Sequence, residues 1–152
     1  MPERCALSAP TYPNVMRIAA LRAANAHTAD WPPPGRSATL PDGARLVWCA
    51  PRVWLRIEGN AALDAAEGFI GSDITGSLAC IRCSGRAWRD MVQSACPLDL
   101  DKDFPADASA SSVFGHFTIL IDVVAADAAD LYVSRSYAGD FAHALDAARH
   151  RA

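Results

Sequence analysis

The stretch Val113–Ala125, VFGHFTILIDVVA, constrains the fold more than any other part of the chain. Val113, Phe117, Ile119, Ile121 and Val123 fall on one face with Gly115, while His116, Thr118 and Asp122 fall on the other. A period of two belongs to extended backbone, in which successive side chains leave opposite sides. One long strand is expected there. ARLVWCAPRVWLRIEG adds two β runs split by Ala50, Pro51 and Arg52; in the second, Val53, Leu55 and Ile57 alternate with Trp54, Arg56 and Glu58, which predicts a hairpin with one wet face. FIGSDITGSLACIRCSG reads as a further strand pair turning through Asp73 to Ser77.

Helical signals are fewer. After the apolar run Val15 to Ile18, an Ala-rich stretch to about His27 favours helix, and the prolines of WPPPG then stop it, leaving Trp31 to Pro41 as an extended connection. Ala61 to Glu67 is expected to form a brief helix before Gly68. Ser84 can cap a helix that buries Trp88, Met91, Val92 and Ala95, and Pro97 ends it. Pro97 to Ser112 reads as a loop. Asp127 to Asp130 turns the chain into LYVSR, and a last helix after Ser136 carries Asp140 in its first turn and buries Tyr137, Phe141, Leu145 and Ala148. Connections too short for parallel crossovers give an α+β fold, antiparallel sheet with helices packed on one face. Residues 1–41 form an N-terminal segment with a Pro-rich connection and 42–152 the main domain, the two making one compact unit.

Composition removes several function classes. The net charge is −3 and the pI about 5.7, with basic residues scattered, so no footprint for a phosphate backbone exists and nucleic acid is not expected as a partner. The longest apolar stretch, FTILIDVVAA, is interrupted by Asp122 and is far short of the roughly 20 residues of a membrane span. MPERCALSAPTYP has no apolar segment before a cleavage site, which places the expected compartment in the cytoplasm. An odd count of 5 cysteines then argues for reduced thiols.

The candidate chemistry is thin. Cys80 and Cys83 form a Cys-x-x-Cys pair, but in a strand positions three apart point to opposite faces, so a zinc half-site or redox couple is disfavoured against buried packing cysteines. Cys96 falls at a helix C-terminus, where the dipole disfavours a thiolate. His143 and His150 lie on the polar side of the last helix; His116 and Asp122 share a strand face but lack a nucleophile or third orienting group. Asp99 to Asp103 lacks the glycine turn and closing glutamate of a calcium loop, and GFIGSDITG has neither the spacing nor the helix of a phosphate loop. Catalytic, cofactor and metal residues are therefore not assigned. Trp54 stands out, a large aromatic beside Arg56 and Glu58 that is covered either by this chain or by a partner.

LPDGARLVWCAPRVWLRIEG, DITGSLACIRCSGRAWRDMVQSACPLDLD and FGHFTILIDVVAADAADLYVSRSYAGDFAHAL, between Leu40 and Ala148, resemble successive blocks of the gamma subunit of heterotetrameric sarcosine oxidase. Its most specific parts are the helix ending in Cys96-Pro97-Leu98-Asp99-Leu100 and the Leu131–Ser136 strand before the last helix. The resemblance implies a fold similar to the folate-binding region of aminomethyltransferases, with ferredoxin-like elements. It also implies a non-catalytic subunit, its main contact with alpha, in an assembly with alpha, beta and delta chains. That assembly oxidatively demethylates an N-methyl amino acid to a glycine-type product, hydrogen peroxide and either formaldehyde or methylene-tetrahydrofolate. FAD, FMN, NAD, tetrahydrofolate and zinc are expected on the other chains, and none of their sites maps onto this one. Under that resemblance Trp54, Arg56 and Arg135 are the candidate partner contacts, Arg135 alternatively pairing with Asp140. The rival readings are a stand-alone folate-binding, aminomethyltransferase-like protein and a thiol redox protein using Cys80 and Cys83.

Overall fold

The computed structural model describes residues 5–21, 31–59 and 68–151. In chain order the strands are β1 (Ala6–Leu7), β2 (Val15–Ala20), β3 (Ser37–Thr39), β4 (Arg45–Ala50), β5 (Val53–Ile57), β6 (Phe69–Asp73) and β7 (Leu78–Ser84). Helices α1 (Trp88–Gln93) and α2 (Leu100–Asp103) follow, then β8 (Ser109–Phe114), β9 (Phe117–Ala125), β10 (Ala128–Ser134), a 3-10 turn (Arg135–Tyr137) and α3 (Ala138–Arg149). Two five-stranded sheets result, one in the order β1-β7-β10-β9-β8 and the other β3-β4-β5-β2-β6. Every neighbouring pair is antiparallel.

The first sheet is covered on both faces, and the two-residue period of its strands sorts the covering. Ala79, Ile81, Cys83, Leu131, Val133, Ile119, Ile121 and Val123 meet Trp88 and Met91 of α1 and Phe141 and Leu145 of α3 in the larger core. Phe141 sits edge-on to Phe114 at 5.8 Å and tilted on Phe117 at 5.3 Å. The intervening residues Cys80, Leu120 and Tyr132 turn the other way and pack on Val15, Val47, Leu55 and Ile57 of the second sheet. The chain is thus α+β, and among the described residues its helices pack on one face of one sheet.

The expected single strand over 113–125 is two strands. Gly115 and His116 form a two-residue hairpin turn, Phe114 pairs with Phe117, and Gly115 has φ +58°, the left-handed start that such turns favour. Val113 is consequently solvent-facing, 41% exposed, rather than on the core face. The Asp73–Ser77 turn exists, but it does not close a hairpin: β6 pairs with β2 in the second sheet and β7 with β10 and β1 in the first. The turn carries the chain between layers. Ser84 ends β7 and does not cap α1, whose N-cap position is Ala87 with no side-chain hydrogen bond. The expected loop 97–112 contains α2, capped by Asp99, and most of β8.

At the N-terminal end, Ala19 and Ala20 belong to β2, so tertiary pairing with β5 and β6 overrides their helix preference. The Trp31–Pro41 connection includes the short strand β3. The helix readings over residues 22–27 and 61–67 lie outside the described residues. Tyr137 belongs to the 3-10 turn, is out of phase with the buried face of α3, and is 52% exposed.

Candidate functional site

Charged residues lie in a row across the face of the first sheet that meets the second. Arg82 pairs in register with Asp130, Asp130 with Asp122, and Asp122 with Ser109. Directly opposed carboxylates repel, and each is held by its own arginine. Arg82 forms a two-pronged contact with Asp130, Nε to Oδ1 at 2.7 Å and Nη2 to Oδ2 at 2.8 Å. Asp122, with no exposed side-chain surface, accepts from Arg45 Nε and Nη2 at 2.9 Å each and from Ser37 Oγ at 2.5 Å. Arg45 also bridges to Asp107 at 2.9 Å. Burial works against its charge, but the hydrogen bonds and attraction of Asp122 and Asp107 outweigh that and raise its pKa. Because Ser37 and Arg45 stand on β3 and β4, this cluster ties the two sheets together.

Beside the Arg82–Asp130 pair the sheets part to leave a cleft of about 320 Å³, lined by Ser8, Thr11, Pro13, Ile57, Glu58, Cys80, Arg82, Asp130 and Tyr132. Segment 8–13 forms its wall because it leaves β1, bonds to β7 through Ser8 N to Arg82 O and Thr11 N to Cys80 O at 2.9 Å each, and crosses into β2. Burial, reinforced by Asp130, pushes the Cys80 thiol from 9.0 up to about 12. Burial also raises the Tyr132 hydroxyl, with Cys80 and Asp130 adding to the shift. Both groups stay protonated near neutral pH. They can hold a ligand by hydrogen bonds; an attacking thiolate is not available there.

The cysteine pair splits as the strand period requires, Cys80 toward the second sheet and Cys83 into the helix-side core. A hydrogen bond with Cys5, followed by burial, pushes Cys83 well above its ordinary value. All five cysteines are free thiols, and Cys96 is buried where the chain leaves α1, its Sγ 3.5 Å from Ser112 Oγ. His116 occupies the exposed hairpin turn while Asp122 lies further along β9 against Arg45, so that pair is not brought together. His143 is exposed on α3 and His150 is exposed at its C-cap. Asp99 caps α2 through Lys102 N, and Asp101 accepts from Gln93 Nε2. Among the described residues no group of three His, Cys, Asp or Glu side chains could hold a metal ion.

The three candidate contact residues are separated by their surroundings. Trp54 is half-buried: its Nε1 donates to Pro32 O at 3.0 Å and its ring meets Trp31 edge-on at 5.1 Å. Arg56, expected on a wet face, is 6% exposed and ion-paired with Asp42. Arg135 is exposed, and its guanidinium lies 4.4 Å over the ring of Tyr12; the expected ion pair with Asp140 does not form. The sequence reading missed both the Arg45–Asp122 cluster and the Tyr12–Arg135 stack. An aspartate inside the apolar run ILIDVV was the available signal for the first, since a buried charge demands a partner. Nothing local in the sequence pointed to the second.

The sequence matches no protein-family model and no curated protein. Among solved structures, the fold is similar to a chain of heterotetrameric sarcosine oxidase from Corynebacterium sp. U-96, determined in complex with pyrrole 2-carboxylate. That similarity has a TM-score of 0.82 at 16% identity and covers 97% of this chain and 84% of the other. Among the described residues no helix is long and apolar enough to cross a membrane.

Proposed function

We propose that this chain is an accessory subunit, of the gamma type, in a flavin-dependent assembly that oxidatively demethylates sarcosine or a related N-methyl amino acid. The observation that carries the reading is the whole-chain likeness to one chain of a heterotetrameric sarcosine oxidase, spanning 97% of the present chain. The local chemistry is compatible with it. The thiol in the cleft is held protonated and the arginine that lines it, Arg82, is tied to Asp130, as expected of groups that build a shape. In this reading FAD, FMN, NAD, tetrahydrofolate and zinc are held by the alpha, beta and delta chains, alpha making the main contact, and the assembly works in the cytoplasm. Trp54, Arg56 and Arg135 remain the proposed contact residues; of these Arg135 is the most accessible.

The test is purification of the tagged chain from its native cell, an absorption spectrum of what accompanies it, and a peroxide assay with sarcosine. A yellow, multi-chain, peroxide-forming assembly is expected. A colourless chain that binds tetrahydrofolate alone would replace this reading with the stand-alone folate protein.

A further inference from the structure

We propose that Cys5 and Cys83 are a peroxide-responsive thiol pair whose disulfide fastens β1 to β7. The inference goes beyond the assembly reading and does not depend on it.

Strand register brings the two together. Leu7 stands opposite Cys83 and Ala6 opposite Ser84, so Cys5, two residues before Leu7, projects on the face shared by Leu7 and Cys83. Cys5 and Cys83 lie in the same helix-side core, 4% and 0% exposed, with Leu7 packed against it. Both are free thiols, and a hydrogen bond joins them. Cys5 precedes the paired residues of β1, so its main chain can close on Cys83 without giving up a ladder position. The partner of Cys83 is thus not Cys80, its neighbour in sequence, but Cys5, its neighbour across the sheet edge.

The two thiols are not equivalent. The bond from Cys83, with a hydrogen bond from the Ser84 backbone and attraction from Arg149, outweighs burial and holds the Cys5 thiol below its ordinary value. The same bond, and then burial, hold Cys83 well above its own. The thiol that ionises attacks, and its protonated neighbour resolves the product. The Cys5 thiolate attacks one oxygen of hydrogen peroxide and breaks the O–O bond; the departing oxygen takes up the proton that Cys5 had released and becomes water, leaving Cys5 as a sulfenic acid. Cys83 then attacks that sulfur, and its thiol proton leaves with the sulfenic hydroxyl as a second water. Two thiols and one peroxide give one disulfide and two waters. Burial sets when this happens: β1 is two residues long and stands at the edge of its sheet, where a short strand opens most readily. Opening admits peroxide, and the disulfide then prevents opening. Ser8 and Thr11, which follow β1 and bond to β7, wall the cleft, so the closed pair also holds that wall. Disulfides inside a cell are usually of this transient, sensing kind.

The experiment exposes the purified full chain to hydrogen peroxide, alkylates the remaining thiols in denaturant, and maps the digest by mass spectrometry. The expected product is a peptide of Cys5 joined to Cys83, lighter by two hydrogens than the separate peptides and parted again by dithiothreitol. In Cys83→Ala the reaction is expected to stop at the Cys5 sulfenic acid, which dimedone traps; Cys5→Ser is expected to give neither product. Cys49→Ser, a change at a half-buried thiol away from the pair, is the control expected to link as wild type. The urea midpoint of wild type should rise on oxidation and return on reduction. Because wild type alone shows or lacks the link, a core variant that folds poorly leaves the test intact. The proposal is overturned if Cys5 and Cys83 both remain open to alkylation, if either joins a different cysteine, or if the linked chain unfolds at the same urea concentration as the reduced one.

Discussion

Replacing Asp122 by alanine tests whether the buried cluster between β3, β4 and β9 holds the two sheets together. The change deletes three charge-assisted hydrogen bonds and leaves the Arg45 guanidinium, whose side chain is only 16% exposed, with Asp107 as its remaining carboxylate. Breaking a buried ion pair by removing one partner costs about 3–5 kcal/mol, because the surviving charge is stranded. Asp107 stays in place at 57% exposure and softens that penalty, which puts the expected loss near the lower end, about 3 kcal/mol. Against a total stability on the order of 5–15 kcal/mol this is large. Equilibrium unfolding in urea would show it as a lower midpoint at unchanged slope. The double change Arg45→Met, Asp122→Leu removes both charges and should recover part of the loss, since apolar pairs of similar volume often replace buried ion pairs at little cost. A loss below about 1 kcal/mol for Asp122→Ala, or a double variant whose loss equals the sum of the two singles, would refute the reasoning.

Three further expectations follow from the same structure. The Cys80 thiol titrates near 9.0 when unfolded and at about 12 when folded; the unfolded chain ionises first, so this contribution to stability is intact below pH 9 and lost as pH climbs toward 12. Unfolding free energies measured across that window should fall less steeply for Cys80→Ala, and an unchanged slope would contradict the assignment. Phe141→Ala empties the centre of the helix-side core beneath Phe114 and Phe117 and should cost about 3–5 kcal/mol in thermal or denaturant unfolding. Arg135→Glu should leave stability near that of wild type, because the side chain is exposed, while weakening association with the proposed alpha chain.

How much of this was legible beforehand depends on the range of the interaction involved. The period of two found β4, β5, β7 and the apolar half of β9, and the phase of Phe141, Leu145 and Ala148 found α3, because these signals are local. A two-residue turn at Gly115 hardly interrupts an alternating pattern, so two strands read as one. Whether β6 pairs with β7 or with β2 is decided by partners some fifty residues away in sequence, Ala20 with Phe69 at one end and Met16 with Asp73 at the other, and the turn residues between β6 and β7 are the same either way. Arg56 was placed on a wet face because alternation names a side of the strand without saying what covers it; here it is ion-paired with Asp42, fourteen residues back. The split of Cys80 from Cys83 needed only strand geometry and was read correctly. The cleft and the Tyr12–Arg135 stack depend on segment 8–13 crossing between sheets, which no local pattern encodes.

The most direct check on the central claim is the native mass of the tagged chain, 16.2 kDa by sequence, as it leaves its own cell. The account predicts that the tag travels in a hetero-assembly with much larger, flavin-absorbing chains that shed it only on denaturation. A lone species of monomer mass that turns over an amine or binds folate unaided would contradict it.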